Sequence, residues 1–276
     1  MHRCLALLAF VLGLTGTAVA QGVIVAPHAV YVDHRTRSAS ITLYNPGTEP
    51  AEVTVSSFFG YPVTDSLGQF ALFTPDSVTA DMPSAAGWIE AFPKRMTIAP
   101  LQRQTVRLLA RPPQGLPDGE YWSRLVVSAK GGSLPVTAAD SAAGISVGLA
   151  LEVRSIFPLL YRKGKQGTGV ALSALRAAPA GDSIAVRMKL ARQGTAAYTG
   201  TARGTLVAPN GEVVGGFERP IAVYTEAEPA FALPMPAQAS GTYRLRVELT
   251  TERSDIAPEL LLRTPPVVDS VEVRLP

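Results

Sequence analysis

The chain has 276 residues, of which 47% are hydrophobic and 17% are charged, and its formal net charge is +3. So small a basic excess, with no cluster of Lys and Arg interleaved with aromatic residues, argues against a nucleic-acid-binding protein. The single cysteine excludes a disulfide within the chain and a metal site built from several thiolates.

The first 20 residues have the pattern of a secretory signal peptide. Arg3 precedes an apolar run over residues 5–14 that is too short to span a bilayer, and Ala18-Val19-Ala20 is a small-x-small cleavage site. We therefore expect an exported protein whose mature chain begins at Gln21. Cleavage would remove the only cysteine and leave 24 of the 25 basic residues against 22 acidic ones, so the mature fold must be stabilised by packed cores.

From residue 22 onward, short apolar runs alternate with Pro, Gly, Asn and Asp, which is typical of an all-β protein. Residues 61–86 read as a loop with a short edge strand, and residues 130–143 as a flexible hairpin loop. Seven strands are predicted in the first half, over residues 23–32, 38–44, 52–58, 88–98, 105–109, 120–128 and 144–163. Their number and spacing predict an immunoglobulin-like sandwich.

The second half begins with a linker over residues 164–169 and again reads as strands. They are predicted over residues 183–190, 200–207, 212–217, 221–224, 242–250, 260–262 and 268–275. Tyr121 and Tyr243 each follow a glycine by two residues and open a strand, as in the tyrosine corner of immunoglobulin-like sandwiches. The sequence therefore predicts an all-β fold of two tandem immunoglobulin-like β-sandwiches, with a signal peptide over 1–20, a first domain over 21–163 and a second, immunoglobulin- or fibronectin-like domain over 164–276.

The seventh strand is long and alternates strictly between apolar and small or polar residues. A period of two is what a half-buried strand requires, because successive side chains point to opposite faces. The apolar positions are Ile145, Val147, Leu149, Leu151 and Val153.

Nothing in the sequence argues for catalysis. Residues 144–148 match the hydrolase pattern Gly-x-Ser-x-Gly, but that motif requires a strand-to-helix turn and here the chain continues as a strand. The mature chain has only two histidines, His28 and His34, which without cysteines do not make a convincing metal site. We expect a protein that is not an enzyme and has no cofactor.

Four segments of the first half resemble the N-terminal domain of periplasmic pilus chaperones, the PapD-like family. Residues 25–30 with 40–46 resemble the first two strands of that family, and residues 116–125 resemble its sixth strand. Residues 156–162, Ile-Phe-Pro-Leu-Leu-Tyr-Arg, resemble the end of its seventh strand. The second half resembles the C-terminal domain of the family poorly.

The resemblance implies donor-strand complementation, in which the chaperone inserts its seventh strand into the gap of an incomplete, β-rich pilus subunit in the periplasm. Matched from the Leu-Tyr-Arg end, the family's donor residues fall on Val147, Leu149, Leu151 and Val153. The alternative is that these four residues only fill the core of their own domain. The resemblance also implies a protein subunit as partner, with no nucleic acid and no membrane span.

The sequence departs from the family at the carboxylate anchor. The family holds the terminal carboxylate of its subunit with two cations, and those positions fall on Ala29 and Pro158, neither of which can donate a side-chain hydrogen bond. His28, Arg154 or Arg162 could substitute. The loss of the anchor supports a second hypothesis, a non-catalytic structural or adhesion protein of the cell envelope.

Overall fold

The computed structural model describes residues 22–136, 147–236 and 240–276, with backbone only at 132–136 and 147–150. Eleven strands make up the first half: β1 (Ile24–Ala26), β2 (Val30–Asp33), β3 (Ser38–Tyr44), β4 (Ala51–Phe58), β5 (Tyr61–Thr64), β6 (Phe70–Phe73), β7 (Ile89–Phe92), β8 (Arg95–Ile98), β9 (Arg103–Ala110), β10 (Gly119–Val136) and β11 (Val147–Lys163). Within the described residues, the single helical element is a 3₁₀ turn at Pro258–Leu260, and no helix is long and apolar enough to cross a membrane.

The first half is a sandwich of two sheets. One sheet has the strand order β1-β3-β9-β7 and the other the order β2-β11-β10-β4-β8, while β5 and β6 form a separate hairpin. The sheets face each other through alternate residues of their strands, because a strand with one face on the core buries every second side chain. Ile41 and Leu43 of β3 and Val53 and Val55 of β4 are all buried in this core.

The second half repeats this arrangement with eight further strands: β12 (Thr168–Ala180), β13 (Ser183–Gly194), β14 (Tyr198–Val207), β15 (Val213–Val223), β16 (Glu226–Ala227), β17 (Ala230–Pro234), β18 (Gly241–Thr250) and β19 (Val267–Leu275). β13 pairs with β12, β16 and β17 in one sheet, and the other has the order β15-β14-β18-β19. A second core lies between these sheets. The predicted all-β fold with two tandem sandwiches is confirmed.

Several strand predictions were wrong in detail. Residues 23–32 and 88–98 were each predicted as one strand, but each divides between the two sheets, at the cis peptide bonds before Pro27 and Pro93 respectively. Residues 212–217 and 221–224 belong largely to one strand, β15, whereas residues 260–262 form no strand, since Leu260 ends the 3₁₀ turn and residues 261–262 are irregular. The strand β12 was missed.

The hairpin prediction at the end of the first sandwich was also corrected. β10 continues as a strand to Val136, beyond the end predicted at residue 128, and pairs with β11 as far as Val147. Residues 137–146, including the start of the predicted seventh strand, lie outside the described residues, as does the predicted signal peptide. Tyr121 forms the predicted tyrosine corner, since its hydroxyl donates to the Pro117 carbonyl at 2.9 Å.

Candidate functional site

Strand β11 has one edge that is paired along its length and one that is mostly free. β10 pairs antiparallel with β11 from Val147 to Lys163. On the other edge, β2 pairs with β11 in parallel and only over Leu159–Arg162. Among the described residues, the edge over 147–158 therefore has no partner strand, and its backbone N–H and C=O groups are available to another chain.

One face of β11 is buried in the core at one end of the strand and exposed towards the other end. Leu159 and Tyr161 are fully buried in the core of the first sandwich, and Phe157 packs against that core. Val153 is half-buried, and Leu151 is 44% exposed. Because these residues are separated by even numbers and β11 itself has no bulge, they share one face of the strand. The apolar row thus begins in the core and continues out of it.

Strand β10 changes register where the apolar row leaves the core. Val153 lies opposite Ala129, which is buried in the first core. A bulge between Lys130 and Ser133 of β10 then lies opposite Leu151. Such a bulge bends the strand and increases its twist. Beyond it, β4 no longer pairs with β10, and the two strands continue as a hairpin.

The four predicted donor positions all lie on strand β11. Val147 and Leu149 pair through the backbone with Val136 and Leu134 of β10. Of the two residues whose side chains are described, Val153 is half-buried and Leu151 is exposed. Their assignment as donor residues stays a prediction.

The opposite face of β11 is polar at its free end. Nε of Arg154 donates to Oε1 of Glu152 at 2.8 Å, and this hydrogen bond lowers the pKa of the Glu152 carboxyl. Further along this face, Ile156 is 47% exposed. Among the residues of β11 whose side chains are described, 151–163, one large aliphatic side chain is exposed on each face, Leu151 and Ile156.

At the family's anchor positions, Ala29 and Pro158 are both half-buried and neither carries a charge. Two of the three alternative cations already have carboxylate partners, since Arg154 pairs with Glu152 and Arg162 pairs with Glu120. His28 is exposed just before β2 and stacks on Phe157, with ring centroids 5.9 Å apart and planes 6° apart.

Arg162 belongs to a buried network that joins the two sandwiches, which sequence reasoning did not identify. Its Nε donates to Oε2 of Glu120 at 2.8 Å, and Oε1 of Glu120 accepts the Ala197 backbone N–H of the second sandwich at 3.1 Å. Nη1 of Arg162 donates to the Leu260 carbonyl at 2.5 Å, and the guanidinium lies 4.3 Å from the centre of the Tyr31 ring. Burial raises the pKa of Tyr31, and Arg162 opposes that rise.

An aromatic cluster beside this network packs the two sandwiches together. Trp122 and Tyr224, one from each sandwich, meet edge to face with their ring centroids 4.8 Å apart. Arg124, which lies opposite Pro158 in the sheet, places its guanidinium 5.0 Å from the centre of the Tyr224 ring. The buried members of the cluster are Phe59, Trp122, Leu160, Ala197 and Tyr224.

The hairpin β5–β6 is a third contact between the sandwiches. Its residue Thr64 accepts the Glu228 backbone N–H at 2.7 Å, and the Gly68 carbonyl at its turn accepts the Ala230 N–H at 2.9 Å. Nη2 of Arg187 donates to the Leu67 carbonyl at 3.1 Å. Two of these contacts use backbone carbonyls of the hairpin and the third uses Oγ1 of Thr64, and together they hold the hairpin against the second sandwich.

The residues weighed for catalysis do not come together. His34 bonds through Nδ1 to the hydroxyl of the buried Tyr161, and His28 stacks on Phe157. Ser146, the serine of the Gly-x-Ser-x-Gly match, lies outside the described residues. Within the described part of the chain, no group of three or more His, Cys, Asp and Glu residues could hold a metal ion.

No protein-family model matches the chain, and no curated protein matches it. Several solved structures, however, match the chain. A structure of the Salmonella enterica SafA pilin with the SafB chaperone matches at 16% identity and a TM-score of 0.44, covering 91% of this chain and 96% of the matched chain. The CsuC–CsuE complex of a chaperone with a tip subunit, from Csu pili of Acinetobacter baumannii, matches at 14% identity and a TM-score of 0.46, covering 91% and 98%.

The E. coli chaperone DraB matches at 14% identity and a TM-score of 0.40, covering 92% of this chain and 97% of that chain. Each of these three structures contains a chaperone, and two of them hold it with a pilin or a tip subunit.

Proposed function

We propose that the chain is a periplasmic chaperone that binds a secreted, β-rich subunit of a pilus or fimbria by strand pairing along the free edge of β11. The observation that carries this proposal is the edge over residues 147–158, which has no partner strand in the described part of the chain and bears an exposed apolar side chain, Leu151, on the core-facing row. A partner strand along this edge would satisfy the free backbone groups of both chains.

The side chains of the row would supply the second part of the binding free energy. Val147, Leu149, Leu151 and Val153 are the proposed donor residues, and each aliphatic side chain buried in a partner's groove contributes about 1.5–3 kcal/mol before ordering costs. Such binding requires neither ATP nor a metal, which supports a non-catalytic role without a cofactor.

The remaining parts of the proposal concern export and domain limits. The signal-peptide pattern over residues 1–20, with cleavage after Ala20, supports a periplasmic location. β11 ends at Lys163 and β12 begins at Thr168, which supports a division into domains over 21–163 and 164–276.

The second candidate function is a structural or adhesion protein of the envelope that uses the two sandwiches as a scaffold. The absence of side-chain cations at Ala29 and Pro158 favours it, because a chaperone of the PapD-like kind would hold its subunit's carboxylate there.

A pull-down from the native envelope fraction distinguishes the two functions. We expect the mature wild-type protein to retain a small β-rich protein stoichiometrically. Leu151→Arg places a charge on the inserted face and should abolish retention. Ile156→Arg is the matched control, because Ile156 is equally exposed on the same strand but on the opposite face. Circular dichroism establishes that both variants are folded.

Retention by Ile156→Arg and loss by Leu151→Arg would support donor-strand pairing. If the wild type retains no partner, the scaffold function is the better account. Equal retention by all three proteins would place the binding surface elsewhere.

A further inference from the structure

A second apolar edge lies away from β11, on strand β6 of the hairpin. All four residues of β6 are exposed, and the large ones, Phe70, Leu72 and Phe73, are 39–42% exposed. Within the described residues β6 pairs with β5 alone, so its other edge has no partner strand. An exposed strand that combines a free edge with apolar side chains is a template for pairing with another chain.

The β6 edge is short, with four residues, but it lacks other features that protect exposed edges. Many natural edge strands carry Lys, Pro or a bulge that prevents pairing. Residues 66–74 contain neither a charged residue nor a proline, and β6 pairs with β5 without a change of register. This edge is therefore neutral and regular, and a charged partner edge would find no complementary charge on it.

The hairpin is also held in place before any partner arrives. Its turn contacts the second sandwich through Thr64, Leu67 and Gly68, and Tyr61 at its base packs against Trp122 and Tyr224. A strand that is already fixed loses little conformational entropy when it pairs.

We propose that β6 is a homodimer interface, in which β6 of one copy pairs antiparallel with β6 of a second copy about a two-fold axis that lies beside Leu72. A neutral apolar edge is complementary to itself, since the two-fold contact brings no like charges together and satisfies the free backbone groups of both strands. The hairpin β5–β6 is a sheet of its own and shares no strand with the sheet that contains β11. The proposed dimer therefore uses a different strand edge from the one proposed to bind a subunit.

Sedimentation velocity of the mature protein over a wide concentration range tests this interface. We expect a reversible monomer–dimer equilibrium, and we expect Leu72→Lys to raise its dissociation constant by at least about tenfold, because two lysines would approach each other at the interface. Val268→Lys is the control, since Val268 is also an exposed strand residue, 47% exposed, on β19 of the second sandwich. This control should dimerise like the wild type.

A cysteine variant tests the geometry independently of affinity. Leu72→Cys should form a disulfide-linked dimer under mild oxidation, because the mature chain starting at Gln21 has no cysteine of its own and the two-fold axis brings residue 72 close to its copy. Val268→Cys should form no disulfide-linked dimer under the same conditions, although its reversible dimerisation should match that of the wild type. A wild type that is monomeric at every concentration, or a dimer that Leu72→Lys leaves intact, would overturn the proposal.

Discussion

Arg162 and Glu120 form an ion pair that is buried where the two sandwiches meet. Nε of Arg162 lies 2.8 Å from Oε2 of Glu120, and the two side chains are 15% and 1% exposed. The second oxygen of Glu120 accepts the Ala197 N–H, and Arg162 also donates to the Leu260 carbonyl. The pair therefore ties the end of β11 to two segments of the second sandwich, so the strand with the free edge is fixed at one end.

Removing one member of this pair should destabilise the protein strongly. Arg162→Ala leaves the Glu120 carboxylate buried without its cation, and we expect a loss of about 3–5 kcal/mol in the free energy of unfolding. Urea denaturation measures it. Arg154→Ala, which removes an exposed ion pair on the same strand, should leave the free energy of unfolding nearly unchanged. Equal effects of the two variants would contradict a structural role for the buried pair.

Tyr224 should make the protein sensitive to alkaline pH. Burial raises the pKa of Tyr224 to about 12, although Arg124 opposes the rise. The folded state thus holds the proton more tightly than the unfolded state, whose tyrosine titrates near its ordinary value of 10.0. This contribution to stability is complete below about pH 10 and is lost as the pH rises towards about 12.

The variant Tyr224→Phe tests this dependence. The free energy of unfolding should fall by roughly 1–2 kcal/mol more in the wild type than in Tyr224→Phe between about pH 8 and about pH 11. Other tyrosines with raised pKa values, such as Tyr198, are common to both proteins and cancel in the comparison. Parallel losses in the two proteins would show that Tyr224 does not contribute.

Gly68 should be required for the contact between the hairpin and the second sandwich. Its φ of 79° is in the left-handed region, and an added Cβ would lie 2.6 Å from Cβ of Ala230 and 2.7 Å from its backbone N. Gly115 has a similar φ of 70°, but nothing lies within 4 Å of an added Cβ there. Both glycines are at turns, so the comparison separates the clash from the backbone strain.

We expect Gly115→Ala to cost about 1 kcal/mol in the free energy of unfolding, the cost of the left-handed conformation alone. Gly68→Ala should cost more, because the backbone of the hairpin or of residue 230 must also move. Thermal and urea unfolding of both variants provide the measurement. A Gly68→Ala variant no less stable than Gly115→Ala would show that the hairpin can shift freely.

The alternation of apolar residues predicted most strands because a half-buried strand leaves that pattern wherever it lies. It did not predict which sheet a strand joins. Residues 23–32 and 88–98 each read as one apolar segment, although the chain crosses from one sheet to the other within each segment. β12 was missed because its Ala-rich sequence lacks large β-branched residues at most positions.

At the candidate site, too, the sequence pattern did not predict which side chains are buried. Leu151 and Leu159 occupy equivalent places in the alternation of β11, and whether a leucine is buried depends on neighbours that lie far away in sequence. Glu120 was missed because its partners, Ala197 and Arg162, are distant from it along the chain. A glutamate followed by an apolar and aromatic strand gave no local signal that it would be buried.

The division of the β11 apolar row predicts opposite effects for two leucines. Leu159 is fully buried in the first core, so Leu159→Ala should lower the free energy of unfolding by about 2–5 kcal/mol through the cavity it leaves. Leu151 is 44% exposed, so Leu151→Ala should cost less than about 1 kcal/mol. In a pull-down under conditions where both variants are folded, Leu151→Ala should reduce the amount of retained partner more than Leu159→Ala does. The reason is that the Leu151 side chain is free to enter a partner and the Leu159 side chain is not. If Leu151→Ala is the more destabilising variant, Leu151 belongs to the protein's own core and the free-edge function fails with it.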